Sequence, residues 1–189
     1  MQAKIELRQA MKERLSRMSD NDRRVESQII VRELKKILPG SLSTIAIYSP
    51  YLDEPDLTLL MTELLEQKNI VCLPKAEMHR MTMHRILSLQ EIGRHPVTNI
   101  IEPIVNRPVD ERSIRTVIVP GRAFTKEGLR LGRGNGGYDH WISDQRKRNP
   151  DTRFIGVCFD CQIVQEIPTE EHDERVDVVM TPTLKAGIL

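Results

Sequence analysis

Three cysteines, Cys72, Cys158 and Cys161, are too few and odd in number to form a disulfide framework. Charge of one sign is also missing. The chain carries 28 basic and 27 acidic residues, a formal net charge of +1, which excludes nucleic-acid binding through bulk positive charge. No apolar run approaches the ~20 residues needed to cross a bilayer. Residues 1–6 hold no apolar signal core, so the expected location is the cytoplasm. The Walker pattern G-x-x-x-x-G-K-[ST] does not occur, which removes the standard P-loop. None of the five histidines has H-E-x-x-H spacing. Cys158-x-x-Cys161 has no second pair to complete a four-ligand zinc site. That pair also begins inside a strand-like segment, whereas redox pairs sit at a helix start, so a buried strand cysteine with a nearby thiol is the plainer reading. No internal repeat or low-complexity tract divides the chain. A single domain with a real core, monomeric by default, is the expectation for 189 residues.

What is present is an alternation of two periods. Leu7, Met11, Leu15 and Met18 recur at helical spacing. Lys4, Arg8 and Lys12 form a second stripe, which on spacing alone reads as a solvated face. Ser19 with Asp22 three positions on resembles a capping box for a second helix, with Val25, Ile29, Leu34, Ile37 and Leu38 inward and Pro39-Gly40 as its stop. Residues 44–48, 70–73, 81–87, 113–119, 154–159 and 176–180 read as strands, and residues 57–67 and 138–147 as helices. Strands alternating with helices predict βαβ units in a largely parallel sheet covered on both faces. The expected class is therefore α/β, a three-layer Rossmann-like sandwich whose strand order the sequence leaves open. Residues 102–108 read as a surface loop. Met78, Met81 and Met83 suit core gap-filling better than a ligand wall. Trp141 suits packing better than stacking on a base. His140 and His172 attract notice only because they stand beside Asp139 and Asp173.

The chemistry concentrates in residues 130–139, where Gly132, Gly134, Gly136 and Gly137 crowd together with Arg130 and Arg133 and Asp139 closes the run. Glycines let backbone N–H groups approach an anion closely. Arginines present a planar fork suited to phosphate. A helix follows at once, and its orphan N–H groups favour anions too. Asp139 then stands where a carboxylate could hold a metal ion against a phosphate. Gly132, Gly134 and Gly137 formally satisfy G-x-G-x-x-G, with Asp160 at a suitable distance. A dinucleotide site, however, needs its first glycine directly after the strand. Gly132 stands twelve positions beyond Pro120, with Lys126, Glu127 and Gly128 forming a turn between.

Taken in order, these pieces resemble the 5-formyltetrahydrofolate cyclo-ligase family. The resemblance runs through Lys4-x-x-x-Arg8, Tyr48-Ser49-Pro50 with Glu54, Leu73-Pro74 and Glu102-Pro103. Its centre is Val119-Pro120-Gly121-Arg122-Ala123-Phe124, Gly128 and residues 130–139, and it ends with Ile167-Pro168, His172-Asp173, Asp177 and Thr181. It implies a Mg-ATP-dependent enzyme that phosphorylates the formyl oxygen of 5-formyltetrahydrofolate. The N10 amine then closes the ring to 5,10-methenyltetrahydrofolate, releasing ADP and phosphate. By the same resemblance, Lys4, Arg8, Arg130, Leu131, Gly132, Arg133, Gly134, Asn135, Gly136, Gly137 and Tyr138 would surround ATP. Ser49 and Glu54 would meet the folate, with residues 133–137 bordering it near the formyl group. Asp139 and Asp173 would lie at Mg²⁺, and Arg133, Asn135 and Asp139 would be the catalytic groups. Two positions depart from the family pattern. Some members carry lysine where this chain has Asn135, and most carry an aromatic residue where it has Gly137. That last change puts the folate contacts in more doubt than the ATP site. It motivates two alternatives: an enzyme of the same fold with another substrate, or a non-catalytic nucleotide- or folate-binding relative.

Overall fold

The computed structural model describes residues 2–77, 80–96 and 99–187. Met78 and His79 lie outside them. In chain order the elements are α1 (Gln2–Ser16), α2 (Asp20–Lys35), β1 (Thr44–Ala46), α3 (Thr58–Glu66), β2 (Ile70–Glu77), β3 (Arg80–Ile86), β4 (Ile92–Arg94) and β5 (Ile101–Pro103). They continue with β6 (Ile114–Pro120), β7 (Ala123–Phe124), β8 (Arg130–Leu131), α4 (Gly137–Arg148), β9 (Arg153–Val157), β10 (Val178–Met180) and β11 (Lys185–Gly187).

Seven strands form one sheet in the order β11-β10-β9-β6-β1-β2-β3. The five inner strands pair in parallel. Antiparallel β3 and β11 close the two edges. Period-two alternation explains how both faces are covered. Ile45, Ile47, Val71, Leu73, Ile118 and Ile155 point to one face and join Ile30, Leu34, Leu60 and Leu64 from α2 and α3. Ala46, Cys72, Val117, Val119 and Phe154 point to the other and join Trp141 and Ile142 from α4. The result is a helix–sheet–helix sandwich, in which each fully buried Leu, Ile or Val contributes roughly 1.5–3 kcal/mol. α1 stands apart from both layers. Its Met11 and Leu15 are buried, and Met11 packs on Ala123, Leu131 and Ile167 near the β7–β8 hairpin.

The second helix starts where the sequence says it should. The Ser19 hydroxyl accepts from Asp22 N at 3.1 Å, and the Asp22 carboxylate reaches back to Ser19 N. Its buried face is rotated from the expected stripe. Ser27, Ile30, Val31 and Leu34 face inward and Val25 is exposed, because two adjacent apolar residues, Ile30 and Val31, outweigh it.

Two other expectations need correction. Residues 102–108 do not start as a surface loop. Ile101–Pro103 pairs with β4, and buried Glu102 accepts from Ala76 N at 3.0 Å, which caps the strand edge of β2. Lys4 is buried rather than on a solvated face, Arg8 is half-buried, and only Lys12 of that stripe is exposed. The turn expected at Lys126, Glu127 and Gly128 joins β7 to β8 as an antiparallel hairpin.

Sheet order decides where a site can form. The chain runs from β1 to β2 on one side, then returns to β6 on the other. A crevice opens where such a parallel sheet reverses direction, outside the carboxyl ends of its strands. Here those ends carry residues 47–54 after β1 and Pro120-Gly121 after β6.

Candidate active site

A cavity of about 680 Å³ occupies that crevice. Tyr48, Ser49, Tyr51 and Glu54 line it from the β1 side, and Pro120 and Gly121 from the end of β6. The glycine loop and α4 form a further wall, and Pro74, Ala76, Arg80 and Ile101 line the cavity from β2, β3 and β5. Tyr48 is buried and donates its hydroxyl to Pro55 O at 2.9 Å, which folds the segment after β1 back over the cavity. Met81 of β3 also lines the cavity, whereas Met83 sits in the core. Trp141 touches the cavity but is held as a packing residue. It meets Phe154 edge-on, and its Nε1 donates to Glu111 Oε1 at 3.0 Å.

The glycine loop has the backbone that its composition implies. Gly134 and Gly136 have φ of 105° and 68°, in the left-handed region that favours glycine. Gly136 is the N-cap of α4, so the loop opens directly onto that helix's orphan N–H groups. Arg130, on β8, is buried and ties the hairpin to the helix. Its Nη2 donates to Asp139 Oδ1 at 2.7 Å, its Nη1 reaches Pro120 O at 3.4 Å, and its guanidinium lies 5.5 Å from the Tyr138 ring centroid. The buried Arg130 Nε has no hydrogen-bond partner among the described residues. A donor left over beside a helix N-terminus suits an anionic ligand.

α1 supports the loop from beneath. Arg8 Nε donates to Gly132 O at 2.9 Å, and its guanidinium carbon stands 3.4 Å from where a Cβ on Gly134 would be. Lys4 Nζ lies 2.6 Å from Asp173 Oδ2 and 2.8 Å from Glu170 Oε2. Burial pushes the Lys4 pKa down, but its bonds to Asp173 and Glu170 outweigh that and hold it above the ordinary 10.5. Burial pushes Asp173 up, yet Lys4 and the Glu170 N–H hold it below the ordinary 3.8.

Of the sequence-derived residues, Ser49, Glu54, Arg130, Gly132, Arg133, Asn135, Gly136, Gly137, Tyr138 and Asp139 line this cavity, whereas Lys4, Arg8, Leu131, Gly134 and Asp173 do not. The Leu131 side chain packs in the core with Met11 and Ile167, and its carbonyl accepts from Arg122 N at 2.7 Å. Asp139 and Asp173 are neighbours without sharing a cation: the Glu174 N–H approaches Asp139 Oδ1 at 3.5 Å, while each carboxylate pairs with its own basic residue. Among the described residues, the three donors that cluster within 4.8 Å are Glu170, His172 and Asp173, and Asp139 is not among them. Carboxylate oxygens suit a hard cation such as Mg²⁺, and Asp173 belongs to this cluster while Asp139 stands apart from it, paired with Arg130. Glu54, finally, is already engaged. Its Oε1 accepts from Arg133 Nη2 at 2.7 Å and its Oε2 from Tyr51 N at 3.1 Å.

Sequence reasoning missed Asp53, Arg122 and Glu170. Asp53 pairs with both Arg133 and Arg122, and Glu170 with Lys4. Spacing carries no signal for the first two, because Asp53 and Arg122 are 69 positions apart. Glu170 had one weak signal, its place three positions before Asp173. At the two departures from the family pattern, Asn135 is exposed, and a Cβ built on Gly137 would meet only Asn135 Oδ1, at 3.9 Å. The space beside Gly137 is open. Cys158 is a buried core residue whose thiol burial pushes well up, and Cys161 is half-buried and free.

A sequence model of the 5-formyltetrahydrofolate cyclo-ligase family matches residues 1–182. A 5-formyltetrahydrofolate cyclo-ligase of Mus musculus is 28% identical over 94% of this chain and 93% of its own length. The Haemophilus influenzae 5-formyltetrahydrofolate cyclo-ligase is 31% identical over 78% of this chain and 80% of its own. Among solved structures, the Aquifex aeolicus 5,10-methenyltetrahydrofolate synthetase superposes with a TM-score of 0.79 at 32% identity, covering 97% of this chain and 92% of that one.

Proposed function

This chain belongs to the 5-formyltetrahydrofolate cyclo-ligase family and is an enzyme of it, and from that premise we propose that it converts 5-formyltetrahydrofolate to 5,10-methenyltetrahydrofolate at the expense of Mg-ATP. The formyl oxygen takes the γ-phosphoryl group of ATP, leaving ADP. The N10 amine attacks the activated formyl carbon, and the phosphorylated oxygen departs as phosphate. The observation that carries this reading is one arrangement: a glycine loop with two arginines and an aspartate, opening onto a helix N-terminus at the wall of a cavity at the sheet's switch point.

Such a reaction needs two anions brought together and charge neutralised on a moving phosphoryl group, so positioning and electrostatics do most of the work. Backbone N–H groups of residues 132–137 and the start of α4 hold the phosphates. Arg8 holds the loop from below through Gly132 O. Arg130 adds fixed charge, with a buried donor to spare. Asp139 and Asp173 would hold Mg²⁺, which supplies positive charge against the phosphate oxygens. Lys4 pairs with Asp173 and helps to hold its carboxyl below the ordinary range. Ser49 and Glu54, which line the cavity together with Arg133, would meet the folate. The test of this reading is whether Mg-ATP and 5-formyltetrahydrofolate together, and neither alone, yield methenyl product and ADP.

The open space at Gly137 favours one variant of this reading, a different substrate with more bulk beside α4. Gly137→Tyr separates the two. An aromatic contact there should lower the KM for 5-formyltetrahydrofolate by about two- to tenfold, the effect of ~0.5–1.5 kcal/mol. An unchanged KM would mean that this substrate does not use the space.

A further inference from the structure

A loop rich in glycine does little to hold a side chain still, because its backbone torsions are weakly restrained. Arg133 lies in such a loop and is nonetheless held at three points. Its Nη2 lies 2.5 Å from Asp53 Oδ1, its Nε and Nη2 reach Glu54 Oε1 at 3.1 and 2.7 Å, and its guanidinium covers the Tyr51 ring at 4.2 Å. Asp53 is held in turn. Its second oxygen, Oδ2, accepts from Arg122 Nη1, so each carboxylate oxygen has its own arginine and the group cannot turn freely.

Arg122 is the fixed end of this chain. Its backbone N–H donates to Leu131 O at 2.7 Å. Its carbonyl accepts from the buried Gln162 Nε2 at 3.1 Å, and the same amide donates to Gly121 O at 2.8 Å. A Cβ on Gly121 would come within 2.6 Å of the Phe124 ring, so the turn is packed tightly against the hairpin. A continuous path therefore runs from the end of β6 through Arg122 and Asp53 to Arg133. Charge along it is balanced, two arginines against Asp53 and Glu54. Burial opposes ionisation of both Asp53 and Arg133, yet their ion pairs hold Asp53 below and Arg133 above their ordinary values.

The arrangement has a consequence for substrate binding. Glu54 Oε1 already accepts twice from Arg133, so a folate donor that takes up that oxygen competes with Arg133 for it. We propose that Arg122 and Asp53 are positioning residues for the transfer reaction, keeping Arg133 at the cavity wall when Glu54 exchanges it for substrate. This inference rests on the function proposed above. Asp53 is then the remaining ion-pair partner of Arg133, beside the Tyr51 ring, and Asp53 is oriented by Arg122.

The test is a double-mutant cycle. Arg122→Leu and Asp53→Asn are each measured alone and in an Arg133→Ala background, as kcat, as KM for ATP, and as the dissociation constant of 5-formyltetrahydrofolate by calorimetry. Each substitution alone should lower kcat by about tenfold, within the range of coupled neighbours, with KM for ATP little changed. In the Arg133→Ala background neither should cost anything further. Arg122→Lys should restore part of the loss, since it keeps a charge on Asp53 but not the planar fork. Equal losses in both backgrounds, accompanied by equal drops in thermal midpoint, would mark a merely structural role and overturn the proposal. Absence of turnover in the unaltered protein would count against the cyclo-ligase reaction instead. The binding cycle would then still decide the anchoring: coupled folate affinities support it and additive ones overturn it.

Discussion

Asp139→Asn is expected to fold and to lose turnover by about ten- to a hundredfold, the effect of removing one charged hydrogen bond of ~1.5–3 kcal/mol. The substitution keeps the shape and an acceptor for Arg130 Nη2, now 2.7 Å from the carboxylate, but removes the negative charge. Arg130 would then be a buried cation without its counter-charge, beside the expected metal position. Alanine would be worse, because breaking a buried pair by removing one partner costs about 3–5 kcal/mol. Asparagine is therefore the informative choice, and kcat should be read together with folate affinity. An enzyme loses kcat and keeps its affinity for 5-formyltetrahydrofolate. Normal turnover in the variant would show that the reaction does not need the Asp139 carboxylate.

Gly128→Ala should destabilise the protein by about 3 kcal/mol, since it combines a left-handed backbone with a steric clash. Gly128 has φ of 87°, and a Cβ there would stand 2.3 Å from Val176 O. Backbone cannot move aside as a flexible side chain can. Val176 N also donates to Gly128 O at 2.9 Å, so the β7–β8 hairpin and the 170–177 segment are laced together at this point. For a chain of this length the thermal midpoint should fall by roughly 6–12 °C. The same lacing positions Asp173 and Glu174, so ATP affinity measured below the transition should weaken as well. A midpoint within a degree or two of the unaltered protein would show that the turn can shift without cost.

Much of this architecture was readable because local periods and the tertiary fold agree. The alternation at Ile45, Ala46 and Ile47 is a strand pattern with both faces apolar, and both faces are in fact covered. The glycine loop was readable because left-handed torsions at Gly134 and Gly136 demand glycine. Lys4 was not readable as a buried residue. Helical spacing places it on a polar stripe, and only the far segment carrying Glu170 and Asp173 turns that stripe into an interior. Strand order was likewise silent in the sequence, because no local rule says that β6 returns beside β1. The family resemblance supplied the roles of Ser49 and Glu54, but it did not reveal that Arg133 already occupies Glu54. Long-range ion pairs of this kind leave no periodic trace. That is why the pairing of Asp53 with Arg122 and Arg133 emerged only from the folded chain.

The central claim is the reaction itself. Purified protein mixed with 5-formyltetrahydrofolate and Mg-ATP, followed by the near-ultraviolet absorbance of the methenyl product, tests it most directly. The account predicts product that accumulates only when ATP is present, with ADP released in equal amount. Folded protein that binds ATP yet forms no methenyl product would contradict it, and would point to another substrate fitting the space beside Gly137.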